Sequence, residues 1–115
     1  MSGSRNTGRR PNLAWRHARA REELETAIRL RPNNADAINN LGAVLLRMGQ
    51  PKDALDRFEQ ARRLAPDFDR ACINAAMVYN SMGQSQKAHE VLEQFLARHP
   101  DASDVQNALG KMGRP

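Results

Sequence analysis

Residues 35–68 read ADAINNLGAVLLRMGQPKDALDRFEQARRLAPDF, two amphipathic stretches joined at Met48-Gly49-Gln50. Apolar residues recur at helical spacing in both halves. Gly49 supplies the left-handed residue that ends the first helix. Pro51 takes the first position of the second helix, where a missing N–H costs nothing. The unit also recurs. Pro32, Pro66 and Pro100 stand 34 residues apart, as do Ala20, Ala54 and Ala88, and Leu24, Phe58 and Leu92. Asn40 and Asn74 keep the step, and so do Met48-Gly49-Gln50 and Met82-Gly83-Gln84. A helix–turn–helix unit at this period predicts a stacked helical repeat.

The residues at fixed places in the unit carry a resemblance. Ile38, Leu41, Gly42, Leu45, Ala54, Phe58, Ala61 and Pro66 stand where the tetratricopeptide pattern has W-x2-L-G-x2-Y, A-x3-F-x2-A and P. In the next unit Cys72, Ala75, Ala76, Tyr79, Ala88, Leu92, Phe95 and Pro100 are in register with them. The chain therefore resembles the tetratricopeptide repeat family over two full repeats, with a half-repeat at each end. The resemblance implies an all-α solenoid of antiparallel helix pairs, wound as a right-handed superhelix, with five to six helices here. It also implies a protein–protein interaction scaffold that holds a peptide or helix of its partner in a concave groove.

By that resemblance the groove is lined from the first helix of each repeat. The positions fall on Asp36, Asn39, Asn40, Ala43, Leu46 and Arg47, then on Arg70, Ile73, Asn74, Met77, Asn80 and Ser81, with Asn107 extending the row. Asparagine can bond both groups of a peptide backbone. Asn40 and Asn74 resemble the asparagine ladder of O-GlcNAc transferase repeats; the plainer reading is that they bond neighbouring helix ends or water. Leu46, Ile73 and Met77 add an apolar patch suited to a helix or an apolar side chain. The family's carboxylate clamp is not expected, because its first basic and asparagine positions fall on Arg5 and Arg9, outside any helical pattern.

Composition agrees with a helical stack. Apolar residues are 40% of the chain and aromatic ones only 4%, which leaves no aromatic-rich core. The net charge of +5 is confined to residues 1–34, which carry eight Arg against three Glu; residues 35–115 balance ten against ten. A uniformly basic surface is thus excluded, and a basic arm of Arg5, Arg9, Arg10, Arg16, Arg19 and Arg21 is expected instead. Such a run could hold nucleic-acid phosphates or an anionic membrane, or be a solvated tail. The chain has no apolar run of bilayer length and no signal-peptide pattern, so a cytoplasmic location is expected; a removed leader or anchor would leave the same sequence.

Along the chain, residues 1–11 (MSGSRNTGRRP) have nothing apolar after Met1 and are expected to be disordered. Residues 12–34 read as the second helix of a partial repeat, capped by Asn12 and striped by Ala20, Leu24, Ala27 and Ile28. Trp15 either packs over the end of the stack or anchors a partner. The full repeats are 35–68 and 69–102, with Asn33 and Ser85 as expected caps, and residues 103–115 form a partial terminal helix. Apolar helix faces left uncovered at the two ends make self-association an alternative function, beside an adaptor tethered to nucleic acid or an anionic membrane through the arginine arm.

Chemistry is sparse. His17, His89 and His99 share no metal spacing, and His89 with Glu93 reads as a solvated helical pair. The Glu22, Glu23 and Glu25 cluster reads as solubilising charge. Cys72 replaces a large apolar residue of the repeat and reads as a small buried side chain. No P-loop, G-x-G-x-x-G, G-x-S-x-G or H-E-x-x-H occurs. The expectation is a protein with no cofactor, no metal and no enzymatic activity.

Overall fold

In residues 13–112, which the computed structural model describes, every regular element is a helix. They are α1 (Leu13–Leu30), α2 (Ala35–Arg47), α3 (Pro51–Leu64), α4 (Asp69–Ser81), α5 (Ser85–Arg98) and α6 (Ser103–Met112). The expected tail at 1–11, the Asn12 cap and the arginines Arg5, Arg9 and Arg10 lie outside the described residues.

Both intra-repeat turns are built alike. Gly49 and Gly83 adopt φ of +78° and +83°, a region that side-chain-bearing residues avoid. The reversal lets Gln50 N–H reach Leu45 O at 2.9 Å and Gln84 N–H reach Tyr79 O at 2.8 Å, covering carbonyls left over at the helix ends. These bonds also set where the next helix begins. Gln84, and not Ser85, precedes α5, and Ser85 is already helical; Gln84 makes no side-chain cap bond. The cap of α2 is likewise one residue later than Asn33. Asn34 has extended backbone, and its side chain accepts from Ala37 N–H at 3.1 Å.

A main core runs through the stack, with a smaller buried cluster of Ile38, Ala61 and Ala71 beside it. Phe58 of α3 is fully buried with Leu41 and Leu45 of α2 and Cys72, Ala75 and Ala76 of α4. Gly42 makes room for it. A methyl placed on Gly42 would lie 2.5 Å from Cε1 and 2.7 Å from Cδ1 of the Phe58 ring. One repeat on, the same positions hold Ala76 and Leu92, a larger residue facing a smaller one, and both are buried. Leu24 and Ile28 bring α1 onto this core; Ala108, Leu109 and Met112 bring α6.

His89 departs from its expected solvated state. It is buried on α5, and its Nδ1 lies 2.9 Å from Ser85 O, so the ring serves its own helix turn. Its position follows Ala88 on the inward arc of the helix.

Curvature comes from unequal spacing. The first helices touch, α2 against α4 and α4 against α6, while α3 and α5 share no backbone contact. First helices therefore line a concave side and second helices splay on the convex side. Side chains at the end of α5 reach the turn that follows α3. Arg98 donates to Pro66 O at 3.2 Å, and His99 Nε2 lies 2.7 Å from Asp67 Oδ1.

Candidate functional site

The concave side is assembled from α2, α4 and α6. On α2, Asp36, Asn40, Leu46 and Arg47 are exposed and Ala43 is half-buried. Asn39 is not on the open surface. It is 3% exposed, and its Oδ1 accepts from Asn74 Nδ2 at 3.0 Å. That bond ties α2 to α4 and engages both Asn39 and Asn74, leaving Asn40 and Asn80 as exposed asparagines of the two helices. Ala108 stands one step beyond Asn74, so the ladder does not continue onto α6. On α4, Arg70, Met77, Asn80 and Ser81 are exposed, while Ile73 and Asn74 are half-buried. Ser81 Oγ donates to Val78 O at 2.9 Å and so serves the helix end.

A cleft of about 430 Å³ lies between α4 and α6. Ile73, Met77, Ala108 and Met112 give it an apolar floor. Asn80, Asn107, Asp104 and Lys111 form a polar rim. Met77 is 52% exposed, a large apolar side chain held open in the groove. The structure thus gathers Ile73, Met77, Asn80 and Asn107 in one cleft, and leaves Asp36, Asn40 and Arg47 on the surface of α2. Asp104, Ala108, Lys111 and Met112 were not among the expected residues. The 34-residue step from Arg70, Asn74, Met77 and Val78 points to them, so the signal was present.

The described part of the basic arm is helical and partly compensated. Arg19 lies 3.3 Å from Glu23 Oε2 and 5.6 Å from the Trp15 ring centroid, and Arg21 is 4.0 Å from Glu25. Two of the glutamates read as solubilising charge, Glu23 and Glu25, are thus also partners in exposed ion pairs. Trp15 itself is 50% exposed.

A polar network crosses the stack behind the groove. Tyr79 OH donates to Glu59 Oε2 at 2.6 Å, and Arg62 donates to Glu59 Oε1 at 2.6 Å. Burial, with the Glu59 hydrogen bond and charge, pushes the Tyr79 hydroxyl up to about 12. Cys72 is buried and its Sγ–H points to Val91 O at 3.5 Å. Burial raises the thiol above its ordinary range, against the pull of Arg62 and Arg98. Among the described residues no group of His, Cys, Asp and Glu could hold a metal ion, and no helix is long and apolar enough to cross a membrane.

Comparison with known proteins matches the sequence to the tetratricopeptide repeat over residues 45–112 and to the TPR repeat over residues 16–49. No curated protein matches the chain. The fold is similar to the crystal structure of MamA protein, at TM-score 0.71 and 25% identity over 84% of this chain and 52% of that one. It is similar to the MamA RS-1 ArsTM double mutant, at TM-score 0.69 and 29% identity over 86% and 56%. The chain spans about half the length of those two. The second TPR domain of human RPAP3, solved by NMR in complex with HSP70 peptide SGPTIEEVD, matches at TM-score 0.73 and 20% identity, over 86% of this chain and 82% of that one. Repeats of this kind generally mediate protein–protein interaction and are typically scaffolds without enzymatic activity. With the repeat step, the glycine turns and the matched residues in agreement, the chain belongs to the tetratricopeptide repeat family.

Proposed function

We propose that the chain is an interaction scaffold that docks a segment of a partner polypeptide on its concave side, with an apolar partner side chain seated between α4 and α6. The observation that carries this reading is the cleft of about 430 Å³ with Met77 open at its floor. An exposed methionine adapts to varied apolar partners. Asn80 and Asn107 on the rim supply donors and acceptors for the backbone of an extended segment. Asp104 and Lys111 place opposite charges on the α6 side of the cleft, which favours one direction of the bound segment. Asn40, Arg47 and Arg70 would extend the contact towards α2.

The reading is tested with peptides selected from a random library on the immobilised chain. Met77→Glu, at an exposed position, should leave helix content unchanged and weaken the selected peptides about tenfold or more. Peptides that bind the variant as well as the parent would overturn the reading.

Self-association is a second reading, favoured by one observation. Ala20 and Ala27 of α1 are partly exposed, whereas Ala54, Ala61 and Ala88 at corresponding places in later repeats are fully buried. A second copy could cover that face of α1. Light scattering should then show mass rising with concentration, and a constant monomer mass removes this reading. Tethering to nucleic acid or an anionic membrane through the arginine arm gains little from Arg19 and Arg21, each of which has a glutamate beside it.

A further inference from the structure

The convex cleft between α3 and α5 is where the second repeat departs from the first. One 34-residue step back, Arg62, Cys72 and Arg98 correspond to Ile28, Ile38 and Leu64. In the earlier repeat Ile38 is fully buried in a small apolar cluster with Ala61 and Ala71, and Ile28 packs against it. In the later one the same positions border a cleft of about 510 Å³, lined by Arg62, Arg63 and Arg98 together with Pro66, Phe95 and Glu59. Phe95 in place of Ala61 makes up the volume that Cys72 lacks relative to Ile38. Glu59 pairs with Arg62, and Leu64 is already an exposed position; Arg63 and Arg98 have no carboxylate partner among the described residues.

Two of the three guanidiniums are held in position. Glu59 is fixed by Tyr79 and in turn holds Arg62, both at 2.6 Å. Arg98 reaches across the repeat boundary to Pro66 O at 3.2 Å. Arg63 has no ion-pair partner among the described residues. Three arginines and one glutamate leave the cleft with a formal charge of +3 − 1 = +2. Arginine in the last turn of a helix does favour the helix dipole, and all three stand near the ends of α3 and α5. That effect explains a cation on each helix. It does not explain why cations from two helices line one cleft, or why one of them replaces a partly buried apolar residue.

The charge identifies the ligand. A phosphomonoester carries about −1.5 to −2 at neutral pH and three acceptor oxygens, which matches three guanidiniums and a residual charge of +2. A single carboxylate would leave half of that charge uncompensated. A nucleic-acid strand needs a track of cations. The outer faces of these same helices instead expose Asp53, Asp56, Glu90 and Glu93. We propose that the convex cleft between α3 and α5 binds a phosphorylated side chain of a partner polypeptide. The phosphate is taken by Arg62, Arg63 and Arg98, and a neighbouring apolar side chain rests on Pro66 and Phe95. This site lies on the side opposite the groove and does not depend on it.

The test uses a fluorescein-labelled pentapeptide, Ala-Leu-phosphoserine-Leu-Ala, and its unphosphorylated twin, read by anisotropy and by amide shifts of the ¹⁵N-labelled chain. The phosphopeptide should bind about tenfold or more tightly than its twin. It should move amides around Arg62, Arg63 and Arg98. Arg63→Gln with Arg98→Gln, both exposed positions, should keep the helical signal and lose about tenfold in affinity. Met77→Glu should change it less than about twofold. Equal binding of the two peptides, an unaffected double variant, or shifts confined to the concave side would each overturn the proposal. So would a uridine oligonucleotide that binds this cleft more tightly than the phosphopeptide, or inorganic phosphate that binds as tightly, which would mark an anion site and no docking site.

Discussion

Gly42→Ala probes the close approach of α2 to the Phe58 ring. The added methyl would approach three atoms of the Phe58 ring at 2.5, 2.7 and 3.0 Å, well inside an ordinary carbon–carbon contact. The ring cannot simply swing away, because Phe58 is fully buried. Overpacking of this kind costs about 1–3 kcal/mol. Replacing a helical glycine by alanine returns about 1 kcal/mol, so the net loss should be about 0–2 kcal/mol. Phe58→Leu alone leaves a gap and should cost about 1–2 kcal/mol. The double variant recreates the Ala76 and Leu92 combination of the second repeat, where the smaller side chain accommodates the methyl. Its loss should fall short of the summed single losses by about 1–2 kcal/mol. Urea unfolding followed by far-UV circular dichroism measures this, provided the denaturant slopes of the variants agree. Costs that add to within about 0.5 kcal/mol would refute the reasoning, since the methyl and the ring would then not compete for one space.

Three further outcomes follow from the same structure. Gly49→Ala and Gly83→Ala should each lower stability by about 1 kcal/mol, because the φ values are positive and nothing else crowds either site; thermal unfolding that does not shift would contradict it. Tyr79 is the sole tyrosine, so its ultraviolet titration is unambiguous and should have its midpoint near 12, with Glu59→Gln moving it down. Its pKa is raised on folding, so its stabilising contribution is complete below pH 10, the ordinary tyrosine value, and is lost as pH rises towards 12; a midpoint at 10 would contradict both the burial of the hydroxyl and its bond to Glu59. Cys72, buried with a raised thiol pKa, should react with aromatic disulfide reagents only on unfolding, and rapid modification of the folded chain would contradict its placement.

The fold was legible because local signals and period agreed. Gly49 and Gly83 each need a backbone that only glycine adopts cheaply, and Pro51 can open a helix but not continue one. Such residues mark boundaries without reference to the rest of the chain. Cap identity at Asn33 against Asn34 and at Ser85 against Gln84 was less legible. It depends on which residue the turn hydrogen bonds leave just outside the helix, a matter of one position. The groove was legible as a set of positions, through the family resemblance, but not as a surface. Whether Asn39 faces a ligand or Asn74 depends on the separation of α2 and α4, and no spacing within one helix reports that. The convex cleft was harder still. Arg62 and Arg98 read singly as helix-end cations, and only the splay of α3 from α5 brings them together with Arg63.

The central claim is that the groove between α4 and α6 is the docking surface. Titrating the ¹⁵N-labelled chain with a library-selected peptide, and following amide shifts, tests it most directly. Shifts should concentrate at Ile73, Met77, Asn80, Asn107 and Lys111, and all should be abolished in Met77→Glu. Shifts centred on α1, or on the outer faces of α3 and α5, with Met77→Glu behaving as the parent, would contradict it.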